Sequence, residues 1–240
     1  MGLLGSGGSI LSVPILVYLV GQDGKVAIGS SLAIVGTIAL FGSFAYIKDK
    51  LVDWRSVLFF GIPGMVGTYG GAALAGFVPT IAQLITFSFV MLASSYLMIK
   101  PDAIKLEGTS ERRLYKIIVD GLVVGLITGF VGVGGGFLIV PALVLLMGLP
   151  IRIAIGTSMF IIFLKSTAGF LKYVEVLEVL DLALDYEIIF LFSIVGIMGS
   201  YLGKYASNKI PQSILKKGFG GFLIIVGGFI LTKSVIELST

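Results

Sequence analysis

The sequence predicts an all-α integral membrane protein made of two inverted-topology repeats, each with a short broken or re-entrant helix at a Gly motif plus three transmembrane helices. Hydrophobic residues make up 57% of the 240 residues and charged residues 12%, which leaves too few polar groups for the surface of a soluble domain. Several apolar runs are long enough to cross a hydrocarbon core about 30 Å thick as helices. The third observation is that one stretch occurs twice in the chain.

The duplicated stretch stands near the start of the chain and again near its middle. The two copies align at an offset of 127 residues up to Tyr46 and at an offset of 132 beyond it, because the second copy carries an insertion. The aligned pairs include Gly5 and Gly132, Gly7 and Gly134, Gly8 and Gly135, Pro14 and Pro141, Gly21 and Gly148, Ser31 and Ser158, Tyr46 and Tyr173, and Asp53 and Asp185. A repeat of this length is too long for a solenoid unit. We therefore interpret one membrane domain with a first repeat at 1–99, a linker at 100–113 and a second repeat at 114–240.

Each Gly motif is followed by an apolar segment that is too short to span a membrane. Ser9–Val20 would be about 18 Å long as a helix, and Phe137–Met147 is similar. We predict two half-helices, with Pro14 and Pro141 as the residues that kink or end them. The predicted full spans are Val26–Ile47, Val57–Val78, Ile81–Ile99, Leu114–Phe130, Ile151–Tyr173, Ile188–Ala206 and Ile214–Ile236. The first half has no counterpart of Leu114–Phe130, so its N-terminal arm is expected to be missing.

Loop charge predicts how the spans are oriented. Basic residues concentrate in and around the loops 48–55, 100–113 and 207–213, which the positive-inside rule places in the cytoplasm. The turn at Pro79 and the acidic insertion after Tyr173 are then external, and Lys25 is the exception. Because equivalent loops of the two repeats fall on opposite sides, the repeats cross in opposite directions. This arrangement is typical of secondary transporters in the plasma or inner membrane, with the substrate near the midplane.

The composition also excludes several classes of function. The chain has no cysteine and no histidine, so it lacks thiolate and imidazole metal ligands and the commonest general base. The predicted spans contain no paired carboxylates for acid–base chemistry. We therefore expect no cofactor, no metal site and no enzyme activity. The net charge of +4 is explained by loop lysines and arginines rather than by nucleic-acid binding.

The Gly motifs are candidates for binding an anion through backbone amides. The candidate residues are Gly7, Gly8 and Ser9 in the first repeat and Gly134, Gly135 and Gly136 in the second. The first amides of a helix lack intrahelical partners and carry the positive end of the helix dipole, and glycine lets an oxyanion approach the main chain. Two such ends meeting at the midplane would hold a small anion. The alternative is that these glycines only allow close helix contact.

Polar side chains inside the spans are the other candidates. Ser30 and Ser31 match Thr157 and Ser158 in the repeat, and these hydroxyls either donate to the anion or bond to their own helices. Lys165 is the one charge well inside a span and would be a counter-charge for an anion, unless it snorkels or pairs with a carboxylate. In the span after Trp54, a row of small residues at helical spacing predicts close packing of another helix: Gly64, Gly67 and Gly71.

These motifs together resemble a known family. The pair of G-x-G-G-x-x-x-x-x-P motifs, each followed by A-I-G-[ST]-S and a G-x-x-x-Y helix end, with Asp53-Trp54 opening the next span, is similar to the sulfite exporter TauE/SafE family of membrane permeases. The resemblance covers nearly the whole chain. It implies a cell-membrane permease that exports a small anion such as sulfite or sulfoacetate, with a coupling ion, H⁺ or Na⁺. The alternative is a non-transporting membrane partner or assembly subunit that packs through its Gly-rich helix faces.

Overall fold

The computed structural model describes residues 7–99, 114–131, 136–207 and 209–239, and the ordered elements in these ranges are helices. The short helix α6 continues from Gly136–Pro141 into a π-helical turn at Ala142–Leu146. The helices are α1 Gly7–Tyr18, α2 Gly24–Lys48, α3 Trp54–Ala75, α4 Thr80–Ile99, α5 Leu114–Val131, α6 Gly136–Pro141, α7 Ile151–Val179, α8 Tyr186–Ser207 and α9 Gln212–Ser239. Among the described residues, six of them are long and apolar enough to cross a membrane: α2, α3, α5, α7, α8 and α9.

Each predicted half-helix and span corresponds to a helix, but α4, predicted as a full span at Ile81–Ile99, is not among the six described helices that are long and apolar enough to cross a membrane. Three further differences concern where helices end. The span predicted to end at Tyr173 continues to Val179, so most of the acidic insertion lengthens α7 by more than a turn. Pro14 does not end its helix, which runs on to Tyr18. Pro141 is the last residue of the regular α-helix, and the π-helical turn follows it directly. Such a turn is a usual response where a proline interrupts the hydrogen-bond ladder.

The repeat is visible in the backbone at the turn between each half-helix and the next span. Gly21 and Gly148, which the sequence aligns, both have positive φ, at 77° and 68°. Glycine reaches this left-handed region without steric cost, so the same residue type makes the same turn twice. The aligned Asp53 and Asp185 also act alike. Each accepts backbone N–H bonds as the N-cap of the helix that follows it.

The two copies of the central span, α2 and α7, pack against each other in opposite directions. Gly29 near the start of α2 lies against Tyr173 near the end of α7. Gly156 near the start of α7 lies against Tyr46 near the end of α2. These two contacts are equivalent under the repeat. The helices α4 and α9, which are also repeat equivalents, pack antiparallel in the same way, with Gly220 of α9 against Ile99 of α4.

Helices α3 and α5 run parallel and meet through glycines on both sides. A Cβ built on Gly125 of α5 would lie 2.9 Å from the Gly64 Cα of α3, and one on Gly129 would lie 2.7 Å from the Thr68 Cα. The Thr68 hydroxyl donates to the Gly64 carbonyl at 2.8 Å and lies 3.2 Å from the Gly125 carbonyl. The predicted packing role of the small-residue row on α3 is therefore confirmed, and α5 is the helix that packs there.

Between the repeats, α3 lies parallel to α7 and α8 lies parallel to α2. Gly61 of α3 faces Ile161 of α7, and the α8 residue Tyr201 donates to the Phe41 carbonyl of α2 at 3.0 Å. Each repeat thus packs its second long helix onto the central helix of the other. Since α3, α5 and α7 are parallel, α6 returns the chain to the end of the bundle at which α5 began.

These directions sort the described loop charges onto two ends of the bundle. One end, here called the basic end, carries Lys48, Lys50, Arg55, Arg152, Lys204 and Lys209, together with two aspartates, Asp49 and Asp53. The opposite end, here called the acidic end, carries Asp23, Glu175, Glu178, Asp181, Asp185 and Glu187. Lys25 also lies at the acidic end. Its ammonium donates to the Ala75 carbonyl, and to that of Val78 at 2.6 Å, so this lysine caps the C-terminus of α3.

The two equivalent contacts between α2 and α7, at Gly29 and at Gly156, differ in how much room they leave for a side chain. A pair of substitutions tests this difference. A Cβ on Gly156 would meet the backbone carbonyl of Leu51, whereas one on Gly29 would meet only the ends of the Leu177 and Leu184 side chains, at 3.1 and 3.3 Å. We expect Gly156→Ala to destabilise the protein by about 2 kcal/mol and Gly29→Ala to stay within about 1 kcal/mol. Thermal unfolding in detergent measures both. Equal shifts of the two variants would contradict this account.

Candidate functional site

The four candidate hydroxyls are all buried, but only two of them lack a partner. The Thr157 hydroxyl accepts a bond of 2.8 Å from the Asp53 backbone N–H, and the Ser158 hydroxyl donates to the Ile155 carbonyl at 2.8 Å. The hydroxyls of Ser30 and Ser31 have no hydrogen-bond partner in the described part of the chain. The second repeat therefore uses its two hydroxyls to hold its own structure. The two serine hydroxyls of the first repeat are therefore available to bond to a ligand.

Lys165 lies at the middle of α7 and is fully buried. Its ammonium nitrogen is 4.6 Å from the centre of the Phe60 ring and has no hydrogen-bond partner among the described residues. The side chain fills the space beside Gly64, where any Cβ would collide with it. Lys165 does not snorkel to the surface, and no described carboxylate pairs with it. A cation over an aromatic face gains about 0.5–2 kcal/mol, which is less than an unpaired buried charge costs.

The Gly motifs lie at the starts of the two half-helices. Gly7 opens α1, with Gly8 and Ser9 in its first turn, and Gly136 opens α6. Gly134 and Gly135 lie outside the described residues. The half-helices α1 and α6 contact each other, and each packs on the long helix that follows it. Two short helices that each begin at a glycine of a repeated motif are therefore in contact. The amides of their first turns lack intrahelical partners.

The candidate side chains form three groups along α7 instead of one. Thr157 and Ser158 lie near its start, Lys165 lies at its middle, and the two serines of α2 lie near its end. Ser30 and Ser31 follow Gly29, which faces Tyr173, so they lie roughly 10 Å from Lys165 along the α7 axis. Lys165 also points to a different side, because it faces α3 while its neighbour Ser166 faces Gly36 of α2. The amine and the two serines are therefore separate polar positions within one bundle.

Two functional candidates were missed by the sequence reading. The hydroxyls of Ser166 and Tyr173 are buried and have no hydrogen-bond partner among the described residues. Ser166 lines a cavity of about 170 Å³ between α2 and α7, next to Thr37 and Thr167. Sequence could have pointed to Tyr173, since it is the repeat equivalent of Tyr46 and stands at a matching helix end. Nothing in the sequence marked Ser166.

A larger groove of about 550 Å³ lies between α3 and α7 on the outside of the bundle. It begins at Trp54, which stacks edge-on against Phe160 with ring centres 5.3 Å apart, and its lining is apolar. An apolar groove beside an interfacial tryptophan is typical of a surface that contacts lipid. It contains none of the candidate site residues.

The chain was compared with known proteins. The sequence model of the family described as "Sulfite exporter TauE/SafE" matches residues 1–230. Named relatives include a probable membrane transporter protein of Xylella fastidiosa, 31% identical over 99% of this chain and 92% of its own length. The probable membrane transporter protein YunE of Bacillus subtilis is 35% identical over 70% of each chain. A third, from Methanocaldococcus jannaschii, is 28% identical over 96% of this chain and 91% of its own. No solved structure matches.

The family match spans the first motif, the glycine packing of α3 and α5, the second motif and most of α9. The resemblance seen in the motifs is thus confirmed over almost the whole length. The relatives carry the name of membrane transporter, which agrees with a bundle that has six helices apolar enough to span a bilayer. On these grounds the protein belongs to the sulfite exporter TauE/SafE family.

Proposed function

We propose that the protein is a secondary transporter, and specifically an exporter, of a small anion such as sulfite or an organosulfonate like sulfoacetate. The observation that carries the proposal is that Lys165, at the middle of α7, is fully buried and has no hydrogen-bond partner or ion pair within the described ranges. An intramembrane charge without a protein partner is a functional residue by default, and a positive one favours an anion. No described carboxylate forms an ion pair with it. The sulfite preference comes from the family to which the chain belongs.

The proposed mechanism is alternating access between two repeats that cross the membrane in opposite directions. It is supported by the antiparallel packing of the repeat equivalents α2 with α7 and α4 with α9. It is also supported by the exchange of partners, since α3 packs on α7 and α8 packs on α2. A pseudo-two-fold arrangement of this kind gives two related packings of similar energy, as alternating access requires.

The anion site is proposed to combine backbone and side-chain donors. The amides would come from Gly7, Gly8 and Ser9 and from Gly134, Gly135 and Gly136, and the hydroxyls from Ser30 and Ser31. Support for the first group is the contact between the two half-helices that these glycines open. Support for the second is that both hydroxyls are buried without a partner. Thr157 and Ser158, whose hydroxyls are already bonded, lie roughly 20 Å from the two serines along the α7 axis. We propose that they hold the start of α7 in shape and do not contact the anion at the serine pair.

The orientation is proposed from the separation of charge. The basic end of the bundle, with the loops 48–55, 100–113 and 207–213, would face the cytoplasm under the positive-inside rule. The one basic residue of the first repeat at the other end, Lys25, binds helix carbonyls and is therefore not a topological signal. Export would then carry the anion from the basic end to the acidic end.

The alternative, a non-transporting partner protein, has less support. It relies on glycine faces that are free to pack on another protein. On α3, Gly67 and Gly71 are already covered by the backbone of α5, whereas Gly70 of α3 and Gly218, Gly221 and Gly228 of α9 have no described neighbour within 4 Å of a built Cβ. The relatives are also named as membrane transporters. A second protein that copurifies in fixed ratio, with no anion flux in proteoliposomes, would reverse this preference.

A matched pair of serines tests the site. In proteoliposomes loaded with labelled sulfite, we expect Ser31→Ala to reduce flux roughly tenfold, because a hydrogen bond to a charged group contributes about 1.5 kcal/mol or more. Ser158→Ala removes the equivalent hydroxyl of the second repeat, which bonds to its own helix, and flux should fall less than about threefold. Equal losses would remove Ser31 from the site, and wild-type liposomes without sulfite flux would refute the substrate.

A further inference from the structure

The surroundings of Lys165 are built from backbone and one aromatic ring. A Cβ on Gly64 of α3 would lie 2.6 Å from the Lys165 nitrogen and 3.2 Å from the Gly121 carbonyl of α5. The amine therefore occupies a notch that exists because α3 has glycine at this position and packs closely on α5. The Phe60 ring closes the notch on the side toward the start of α3.

The same notch occurs in the other repeat with an apolar occupant. Gly196 of α8 is the repeat equivalent of Gly64, and a Cβ built on it would meet the side chain of Ile38, the equivalent of Lys165. Ile38 is almost fully buried and packs in an apolar cluster. The bundle is thus able to fill this position with a hydrocarbon side chain. A lysine in the second repeat is not needed for packing, and its presence calls for a function.

We propose that Lys165 is the proton-carrying site of the transporter, so that a proton crosses the membrane together with each anion. The inference rests on the proposed anion transport and names its coupling ion. The amine takes a proton from water at one side, becomes an ammonium while the anion occupies the bundle, and releases the proton to water at the other side. No oxidant, metal or second substrate is needed for this step.

Charge balance links the protonation of Lys165 to the binding of the anion. An ammonium in a low-dielectric interior costs several kcal/mol unless an opposite charge is near. An anion in the neighbouring site supplies that charge across the roughly 10 Å between Lys165 and the serine pair. Anion binding therefore favours the protonated amine, and by linkage the protonated amine favours anion binding to the same extent. The loaded transporter then carries a proton and an anion, while the empty one carries neither.

Within the described parts of α3, α5 and α7, no charged group that faces Lys165 pairs with it. On α3 the facing residues are Phe60 and Gly64, and the ionisable Tyr69, more than a turn further along, donates to Glu175. On α5 the facing residue is Gly121, and the adjacent Asp120 forms no ion pair with Lys165. On α7 itself Lys172 and Glu175 pair with each other toward the acidic end.

The transport test measures the ratio of protons to anions. Purified protein is reconstituted with a pH-sensitive dye inside the liposomes, and entry of labelled sulfite and of protons is followed together. We expect about one proton per sulfite for the wild type and for Ile38→Met, the matched control in the equivalent notch at Gly196. Lys165→Arg should lower the ratio at least roughly tenfold, because a guanidinium does not release its proton. A wild-type ratio near zero, or an unchanged ratio in Lys165→Arg, would overturn the proposal.

A second measurement does not depend on the identity of the substrate. In detergent, protein labelled with ¹⁵N at the lysine side chains gives a Lys165 signal that is assigned by its absence in Lys165→Met. The proposal expects this signal to switch between amine and ammonium across the physiological pH range, and an ammonium signal throughout would overturn it. Absence of sulfite flux combined with a switching signal would refute the substrate and leave the proton site supported.

Discussion

Replacing Gly67 by leucine is expected to destabilise the protein by about 3 kcal/mol, which is roughly a hundredfold in the folding equilibrium. A Cβ at Gly67 would lie 2.9 Å from the Leu126 nitrogen and 3.1 Å from the Leu122 carbonyl carbon, and both are backbone atoms of α5. A side chain can rotate away from a new neighbour, but the backbone of a helix cannot. The two helices would have to separate along the whole glycine interface, which would also loosen the contact at Gly125.

The chain contains a matched control for this substitution. Gly199 of α8 is the repeat equivalent of Gly67, and a Cβ built on it would have nothing within 4 Å. Leucine also has a higher helix propensity than glycine, by up to about 1 kcal/mol. Gly199→Leu should therefore leave the midpoint of thermal unfolding unchanged or raise it. A similar fall for both variants in a detergent melting assay would show that the loss does not come from the α3–α5 contact.

The glycine interface shows what sequence could predict of this fold. Gly64, Gly67 and Gly71 stand at helical spacing, and helical spacing is enough to predict that another helix packs there. Their partner on α5, in contrast, was not predictable, because helical spacing does not say which helix packs against the glycines. The half-helices were predictable, since their length can be read directly against the thickness of a bilayer.

The extent of α7 was not predictable from apolar character. The span was expected to end at Tyr173 because charged residues follow it. Glu175 stands one helical turn from Lys172, to which it pairs at 2.5 Å, and it also accepts a bond from Tyr69 of α3. These contacts keep the helix regular beyond the apolar stretch. A hydropathy pattern marks where a helix leaves the lipid, and the helix itself ends where its last side-chain contacts end.

The candidate site was predictable as a set of residues but not as a set of roles. Ser31 and Ser158 occupy the same position in two copies of one motif, so sequence alone predicts the same role for both. The structure distinguishes them, because the Ser158 hydroxyl bonds to its own helix and the Ser31 hydroxyl has no partner among the described residues. The Thr157 hydroxyl likewise accepts a hydrogen bond from the backbone N–H of Asp53, which belongs to the loop before α3. Such long-range partners depend on how the repeats pack against each other.

The second large effect is expected at Lys165, where Lys165→Met should make the protein more stable and less active. Methionine fills a similar volume without a polar atom. Burial of an unbonded neutral amine costs about 1–3 kcal/mol in proteins, and an ammonium costs several kcal/mol, of which the contact with Phe60 offsets about 2 kcal/mol. The net gain on substitution is therefore about 1–3 kcal/mol. Sulfite flux should meanwhile fall at least roughly tenfold, because the bundle loses its mid-span positive charge.

Ile38→Met provides the comparison, since it puts the same side chain into the equivalent notch of the first repeat, where isoleucine packs against Gly196. A swap of similar volume between hydrophobic residues should cost less than about 1.5 kcal/mol, and flux should stay close to that of the wild type. The two variants should thus shift the unfolding midpoint in opposite directions. If Lys165→Met melted below both the wild type and Ile38→Met, the amine would have a stabilising partner, and its assignment to transport would lose its physical basis. A side chain retained against its effect on stability is the signature of a residue selected for function.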